Sequence, residues 1–394
     1  MMFARRLKSF FSEPQEKPVD PQLENFVWLL NRMPEGVAPP LVRSEAEGSY
    51  QDIGLVERVA ASYKKASTEF RASGDGWWDT ALFDIKRDVH NALVSNDTNA
   101  AASVLRNPAA STFFWGFDAI SSSPAGEPEP HELVLRRLNK SIHWHDLYAL
   151  WLCDGLLSLA EAVGGRRASY PEIDMDPTLP GRGNTYDVDA ILDSIEAAIG
   201  VELRFPNPYP DELGLLSKRG IIGFRSIQSL YQAWRISQFA NGNPGFKVLE
   251  IGAGLGRTAY FSSLFGVKNY TIVDIPLTNA AQGYFLGRVL GGDQVSLYGE
   301  EIGEGVRVLP STVMSEHNEK YDLVVNVDSW TEMPLDIALM YWKFARTATS
   351  AVLSINHEYN PNPVRELYRS DAAVRVLRYP YPMRRGYIEE TLTW

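Results

Sequence analysis

A glycine-rich loop between an apolar strand and a helix constrains the fold of this chain more than any other feature. The apolar run at residues 246–251 predicts a buried strand, and Gly252, Gly254 and Gly256 follow it as a tight turn. Residues 257–265 then have a helical pattern. A ligand can approach such a loop closely, because glycine has no side chain and the amides at the helix start favour an anionic group. We therefore predict a nucleotide-binding βα unit.

A second apolar run at residues 270–274 ends in an acidic residue, Asp274. Its two carboxylate oxygens can accept hydrogen bonds from both hydroxyls of a ribose, and a helix cap before Pro276 is the alternative role. The dinucleotide fingerprint Gly-x-Gly-x-x-Gly requires glycine at position 257, where this chain has Arg257. The pattern therefore disfavours a nicotinamide cofactor.

The strand before the loop ends in an acidic residue, Glu250, and continues as Gly-x-Gly-x-Gly. This arrangement resembles motif I of the class I S-adenosylmethionine-dependent methyltransferases. The resemblance implies that the loop lies against the methionine part of S-adenosyl-L-methionine and that Asp274 binds the ribose. It places these residues at the cofactor: Glu250, Gly252, Ala253, Gly254, Gly256, Asp274, Ile275 and Asn326.

Two further cofactor contacts are expected. Glu300 or Glu301, after the third predicted strand, is expected at the adenine amino group, with a solvated acidic loop as the alternative. By the same resemblance Ser217, Arg219 and Arg225 are placed to reach the methionine carboxylate, with a solvated helix face as the alternative.

Strands and helices alternate from residue 246 onward, which is the pattern of a doubly wound parallel sheet. The strands are predicted near residues 246–251, 270–274, 294–298, 321–327 and 350–356. Two further runs at 374–378 and 387–393 predict a terminal hairpin, and a class I methyltransferase sheet closes with such an antiparallel strand. The predicted fold class is therefore α/β, a Rossmann-like and mostly parallel methyltransferase sheet with a terminal antiparallel strand.

The first two hundred residues are predicted to be mainly helical. Helices are expected near residues 20–33, 50–72, 77–105 and 131–163, at 187–199 with Asp187 or Asp189 as cap, and within 217–239. We predict a helical domain over residues 1–215, which serves as a lid, a substrate element or a dimerisation element. Residues 216–394 are predicted to form the S-adenosylmethionine-binding methyltransferase domain.

The C-terminal part resembles a narrower family. Four segments taken together resemble the sugar O-methyltransferase family found in bacterial polysaccharide gene clusters. They are the glycine-rich loop with its flanking strand and helix, and residues 270–279, 282–287 and 326–334. Residues 354–360 and 385–390 are similar to that family too, and the resemblance covers roughly residues 215 to 394. It implies O-methylation of a sugar hydroxyl in glycan or polysaccharide biosynthesis. The alternatives are an inactive, cofactor-binding partner subunit and an O-methyltransferase of a non-sugar small molecule.

Methyl transfer to oxygen needs alignment of the acceptor with the sulfonium and a base that takes the hydroxyl proton. The strands at 321–327 and 350–356 deliver polar residues to one sheet edge. The predicted catalytic residues there are His357, Glu332 and Asp328. His357 is the preferred base, oriented by Glu358 or Glu332, and a structural histidine is the alternative.

The two acids have further roles open to them. Asp328 and Glu332 are candidates for the base itself, for sugar-hydroxyl contacts or for ligands of a divalent metal. We expect no resident metal.

Composition restricts the partners. The 38 basic and 49 acidic residues give a net charge of −11, which repels a nucleic-acid backbone. A single cysteine, Cys153, cannot form an intrachain disulfide, and no Cys/His cluster has zinc-ligand spacing, so we expect a reducing compartment, the cytoplasm. No apolar run is long enough to span a bilayer. The expected partner is a sugar or glycan acceptor, and a homodimer remains open.

Overall fold

The computed structural model describes residues 37–45, 50–70, 81–116, 118, 144–168, 185–360 and 362–394. The helix predicted near residues 20–33, and the first part of the one predicted at 131–163, lie outside these ranges. No helix in the part of the chain described here has the length and apolarity needed to cross a membrane.

The N-terminal part is mainly helical. Its elements are β1 (Leu41–Arg43), α1 (Ile53–Glu69), α2 (Ala81–Ile85), α3 (Arg87–Val94), α4 (Thr98–Arg106), α5 (Trp144–Val163) and α6 (Val188–Ile199). Asp187 caps α6 as predicted, since its side chain accepts from the Ala190 amide. The predicted helix over 77–105 is wrong as a single element. It breaks at Lys86 and again before Asp97, whose side chain accepts from the amides of Asn99 and Ala100 and so starts α4.

The C-terminal part alternates strands and helices. Its elements are β2 (Leu213–Ser217), β3 (Gly220–Ile222), α7 (Phe224–Ala240), β4 (Lys247–Ile251), α8 (Arg257–Leu264), β5 (Asn269–Asp274), α9 (Pro276–Leu290), β6 (Val295–Leu297), β7 (Val306–Pro310), β8 (Leu323–Val327), α10 (Leu335–Ala348), β9 (Ala351–His357), α11 (Arg365–Tyr368), β10 (Arg375–Pro380) and β11 (Tyr387–Thr393). The helix predicted within 217–239 begins only at Phe224. The residues before it form β2 and β3, because the left-handed Gly220 turns the chain tightly against the Phe205 carbonyl.

The central sheet has eight strands in the order β10-β11-β9-β8-β4-β5-β7-β6. From β9 to β6 neighbouring strands pair in parallel, whereas β11 runs antiparallel to both β9 and β10. The predicted fold class, with its closing hairpin, is therefore confirmed. In the sheet, β5 and β7 lie on one side of β4, whereas β8 lies on its other side. The strand order therefore reverses between β4 and β8. Open α/β sheets bind their ligands beyond the carboxyl ends of the strands at such a point.

One strand was missing from the sequence prediction. The run predicted at 294–298 is the short outermost strand β6, and the strand beside β5 is β7. In β7 the residues Val306 and Val308 are buried and alternate with half-buried ones, but a Gly- and Glu-rich segment at 299–305 precedes it. Because β7 was not predicted, the neighbour of Asp274 in the sheet was not predicted either. That neighbour is Pro310 of β7, which pairs with Asp274 across the two strands.

A buried acid joins the helical part to the sheet part. Asp52, just before α1, accepts hydrogen bonds from Arg106 of α4 at 2.5 Å and from the Tyr284 hydroxyl of α9 at 2.5 Å. Gly287 lets α1 approach α9 closely, because a Cβ there would lie 2.6 Å from a Leu55 methyl. The predicted domain boundary at 215/216 falls inside β2, which pairs with both β1 and β3. The division into two domains stays a prediction.

We expect Asp52→Asn to lower the free energy of unfolding by about 2–4 kcal/mol, because it leaves the Arg106 guanidinium without its ionised partner. Urea unfolding followed by circular dichroism measures the change. The control is Asp84→Asn, which breaks an exposed pair with Arg87 and should stay within about 0.5 kcal/mol of the wild type. Equal losses in both variants would show that Asp52 does not join the two parts.

Candidate functional site

The glycine loop is held to the end of β8. The buried Asn326 amide donates to the Ile251 carbonyl at 2.9 Å and to Ser329 Oγ at 2.6 Å, and Ser329 Oγ donates to the same carbonyl at 3.1 Å. Gly252 has φ 72°, and a Cβ at this position would lie 2.3 Å from Ser329 Oγ. Glycine is therefore required at 252 by both backbone conformation and space.

Asp274 lies beside this loop and is tied to it by Gln282. The Gln282 amide donates to Asp274 Oδ2 at 2.7 Å and to the Gly254 carbonyl at 2.8 Å. The Ile275 amide donates to Asp274 Oδ1 at 2.8 Å. Burial raises the pKa of Asp274 to about 7, against the opposing effect of these hydrogen bonds. The structure thus brings the predicted ribose ligand to the glycine loop, with Gln282 between them.

The helical part contributes a buried lysine to the same place. Lys86, between α2 and α3, is only 3% exposed. Burial lowers the pKa of Lys86 to about 7, while the nearby Asp274 carboxylate acts to raise it. Sequence reasoning missed this residue, because a lysine within a segment interpreted as one helix predicts a solvated face.

Glu250 is the second buried acid near the loop. It accepts a hydrogen bond from the Tyr270 hydroxyl at 2.9 Å, and burial raises the pKa of Glu250 to about 8. At neutral pH the site therefore holds two acids, Glu250 and Asp274, that a bound cation would help to ionise.

Arg257, which occupies the position of the third fingerprint glycine, is a structural residue. Its Nε donates to Asp118 at 3.1 Å, and its Nη2 lies 3.6 Å from Glu212. These buried carboxylates balance the Arg257 charge, so this arginine is not free to bind a ligand phosphate.

A second polar cluster surrounds Asp328, directly after β8. Asp328 has the left-handed φ of 55°, which is rare for a residue other than glycine and marks stored backbone strain. Tyr387 donates to Asp328 Oδ1 at 2.7 Å, and His357 Nε2 lies 3.7 Å from the same oxygen. Arg384 Nη1 donates to Oδ2 at 3.4 Å, and Arg225 Nη1 lies 3.8 Å from it. Asp328 is thus the centre of this cluster.

The hydrogen bonds of His357 limit its role as a base. Its Nδ1 accepts from the Tyr359 amide at 3.2 Å, so the neutral ring carries its proton on Nε2, which faces Asp328. Burial lowers the pKa of His357, and Arg384 lowers it further against the opposing effect of Asp328. His357 can accept a proton only if the Tyr359 contact opens, whereas Asp328 needs no such change.

Asp328, Glu332 and His357 each have one ligand atom within 4.8 Å of the others, so the three predicted catalytic residues do come together. Oxygen and nitrogen donors of this kind suit divalent cations. However, Arg225 and Arg384 lie against the same Asp328 carboxylate. A divalent ion would face two guanidinium charges there, which makes this a poor metal site.

The structure does not bring three predicted residues to the site. Glu300 follows the outermost strand β6 and pairs with Arg58 at 2.7 Å, so its carboxylate is already engaged, and its contact with adenine stays a prediction. The residues that directly follow β7, the strand beside β5, are Ser311 and Thr312. Thr312 Oγ1 is buried with no hydrogen-bond partner among the described residues.

Two other charged side chains are engaged elsewhere. Arg219 pairs with Glu196 at 2.5 Å and so cannot reach a methionine carboxylate without breaking that pair. Glu358 pairs with Arg378 at 2.6 Å instead of orienting His357. Both roles stay predictions, and each would require the observed ion pair to open.

Comparison with known proteins gives fold-level similarities only. No family model matches the chain, and no curated protein matches it. Magnesium protoporphyrin IX methyltransferase ChlM from Synechocystis PCC 6803 with bound SAM is 17% identical, with 43% of this chain and 83% of that chain covered and a TM-score of 0.32. The glycopeptide N-methyltransferase MtfA complexed with sinefungin is 15% identical, with 42% and 86% covered and a TM-score of 0.33. Scores of this size carry no argument, and the fold class rests on the strand order of the sheet.

We expect Gly252→Ala to lower the free energy of unfolding by about 2–4 kcal/mol, because the new methyl meets Ser329 and the backbone is left-handed. Gly266→Ala is the matched control: its φ is 81°, but nothing lies within 4 Å of the added atom. Gly266→Ala should lower the free energy of unfolding by about 1 kcal/mol, which is the cost of the left-handed backbone without a steric clash. Denaturant titration compares the two, and equal losses would contradict the close approach of Ser329.

Proposed function

We propose that this protein is an S-adenosylmethionine-dependent O-methyltransferase that acts on a sugar hydroxyl in glycan or polysaccharide biosynthesis. The observation that carries the proposal is the convergence of the two clusters at the β4–β8 switch point. Gly252 contacts Ser329 there, one residue from the Asp328 cluster, so a cofactor on the loop lies beside a group that can take a proton. Donor and acceptor sites are thus adjacent.

The cofactor is proposed to lie over the loop with its ribose hydroxyls on Asp274. The residues proposed to hold it are Glu250, Gly252, Ala253, Gly254, Gly256, Asp274, Ile275 and Asn326, with Gln282 fixing the ribose acid. When bound, S-adenosylmethionine supplies a methyl group on a sulfonium cation. The buried acids Glu250 and Asp274 suit this ligand, because its ammonium and sulfonium charges favour their ionised forms.

The acceptor hydroxyl is proposed to bind at Asp328. Its carboxylate takes the hydroxyl proton as the oxygen attacks, and Tyr387 fixes its orientation. His357 keeps a proton on Nε2 toward the same carboxylate, and Glu332 is the neighbouring second acid. General-base catalysis of this kind contributes on the order of 10²–10⁴ in rate.

The sugar assignment is supported by the resemblance over residues 215–394 and by the polar character of the Asp328 cluster, whose carboxylates suit several hydroxyls. A non-sugar hydroxyl acceptor is the alternative. A cytoplasmic location is proposed from the single buried thiol, Cys153, and homodimer formation through the helical part stays a prediction.

S-adenosylhomocysteine should bind more weakly at low pH. The ribose hydroxyls donate to the ionised Asp274, so protonation below its raised pKa of about 7 opposes binding. We expect affinity to fall about tenfold from about pH 8 to about pH 6. Calorimetry at the two pH values measures this. Asp274→Asn should bind weakly without this dependence, and an equally steep dependence in that variant would contradict the role of Asp274.

Asp328→Asn should lower turnover by about 10²–10⁴ with S-adenosylhomocysteine binding retained, because the amide cannot accept the hydroxyl proton. Formation of S-adenosylhomocysteine with a panel of sugars and nucleotide sugars gives the rate. His357→Gln should lose less, since His357 acts through Asp328. Asp336→Asn, an exposed acid on α10, is the control. Full turnover in Asp328→Asn would place the base elsewhere.

A further inference from the structure

Two arginines face the Asp328 cluster, and most of their hydrogen-bond donors have no acceptor among the described residues. Arg225 lies in the first turn of α7, and Arg384 lies in the turn between β10 and β11. Their contacts with Asp328 Oδ2, at 3.8 and 3.4 Å, are longer than ordinary charged hydrogen bonds. Neither guanidinium has another acceptor in the part of the chain that the structure describes. Their side chains are 37% and 33% exposed, so both are accessible to a ligand.

Other arginines near the site differ from this pair. Arg219 and Arg257 are each held by two or more acidic side chains, and Arg235 pairs with the buried Glu389 at 2.7 Å. The positive charge of each of those arginines is balanced by its carboxylate partners. Arg225 and Arg384 share one carboxylate, which leaves donors for a further anion.

Arg384 is also held in one orientation. Its guanidinium lies 4.3 Å from the centre of the Tyr387 ring, and Tyr387 in turn donates to Asp328. Stacking on an aromatic face leaves the edge N–H groups free and lowers the entropy lost on binding. Two nearby carboxylates oppose an anion: Asp328, which the two arginines share, and Glu332, which has an oxygen within 4.8 Å of Asp328.

We propose that Arg225 and Arg384 bind an oxyanion of the acceptor beside the hydroxyl that is methylated. The arginine fork matches carboxylate and phosphate groups, so the acceptor is a sugar that carries one of these, such as a uronic acid or a sugar phosphate. This inference rests on the proposed function, because it takes Asp328 as the acceptor site. It replaces the role predicted for Arg225 at the methionine carboxylate.

Ligand-observed NMR on the full chain tests this with D-glucuronate, glucose 1-phosphate and uncharged methyl glucoside, with and without saturating S-adenosylhomocysteine. At least one anionic sugar should bind about tenfold or more tightly than methyl glucoside. Arg384→Gln and Arg225→Gln should each remove most of this preference, and Arg384→Lys should restore part of it. Arg369→Gln, an exposed arginine paired with Glu366, should change nothing.

The outcomes separate the possible sources. A preference for glucuronate points to a carboxylate, and a preference for glucose 1-phosphate points to a phosphate. No preference, or a preference that survives both glutamine variants, would overturn the inference. So would anion binding that S-adenosylhomocysteine abolishes, because the arginines would then serve the cofactor carboxylate. Failure of S-adenosylhomocysteine itself to bind would count against the methyltransferase, while the titrations without it still report on the arginines.

Discussion

The buried side-chain amide of Asn326 donates a hydrogen bond to the carbonyl of Ile251. This bond connects the ends of β8 and β4, the two strands that carry the site. Parallel strands leave their last carbonyls unpaired at the carboxyl end, and a buried carbonyl without a partner is costly. Asn326 and Ser329 satisfy the carbonyl of Ile251. The same bonds bring Ser329 against Gly252, which fixes the loop and positions Asp328 beside it. One local requirement of the backbone therefore places the two clusters together.

Burial of acids gives the first cluster its chemistry. Because burial raises the pKa values of Asp274 and Glu250, a cationic ligand would be favoured at this cluster over an anionic one. Lys86 of the helical part interacts electrostatically with Asp274 of this cluster. The second cluster is different, because Asp328 is half-buried and surrounded by donors from β9, α7 and the terminal hairpin.

Local sequence signals predicted the parts of the fold that local physics determines. The apolar run before Gly252 and the acidic residue Asp274 were enough to predict the βα unit. The two β-forming runs near the C-terminus were enough to predict the hairpin. β7 was missed because a five-residue strand that contains Arg307 and ends in Pro310, after a Gly- and Glu-rich loop, does not form a distinctive pattern. Glu300 was consequently predicted to follow the strand beside β5, whereas it follows the outermost strand β6.

Long-range contacts account for most of the site residues that the sequence did not indicate. Lys86 is about 190 residues from Asp274 in sequence, and Tyr387 is 59 residues from Asp328. No periodicity can link such positions, since only the packed helices and the closed sheet bring them together. His357 was found from its place at the end of a strand, but its tautomer depends on the Tyr359 amide and could not be read from residue types.

The most direct test of the central claim is calorimetric titration of S-adenosylhomocysteine into the wild type and Asp274→Ala, with NADH as the comparison ligand. The account predicts that S-adenosylhomocysteine binds the wild type, that Asp274→Ala weakens binding by at least about a hundredfold, and that NADH does not bind. Binding of NADH without binding of S-adenosylhomocysteine would contradict it.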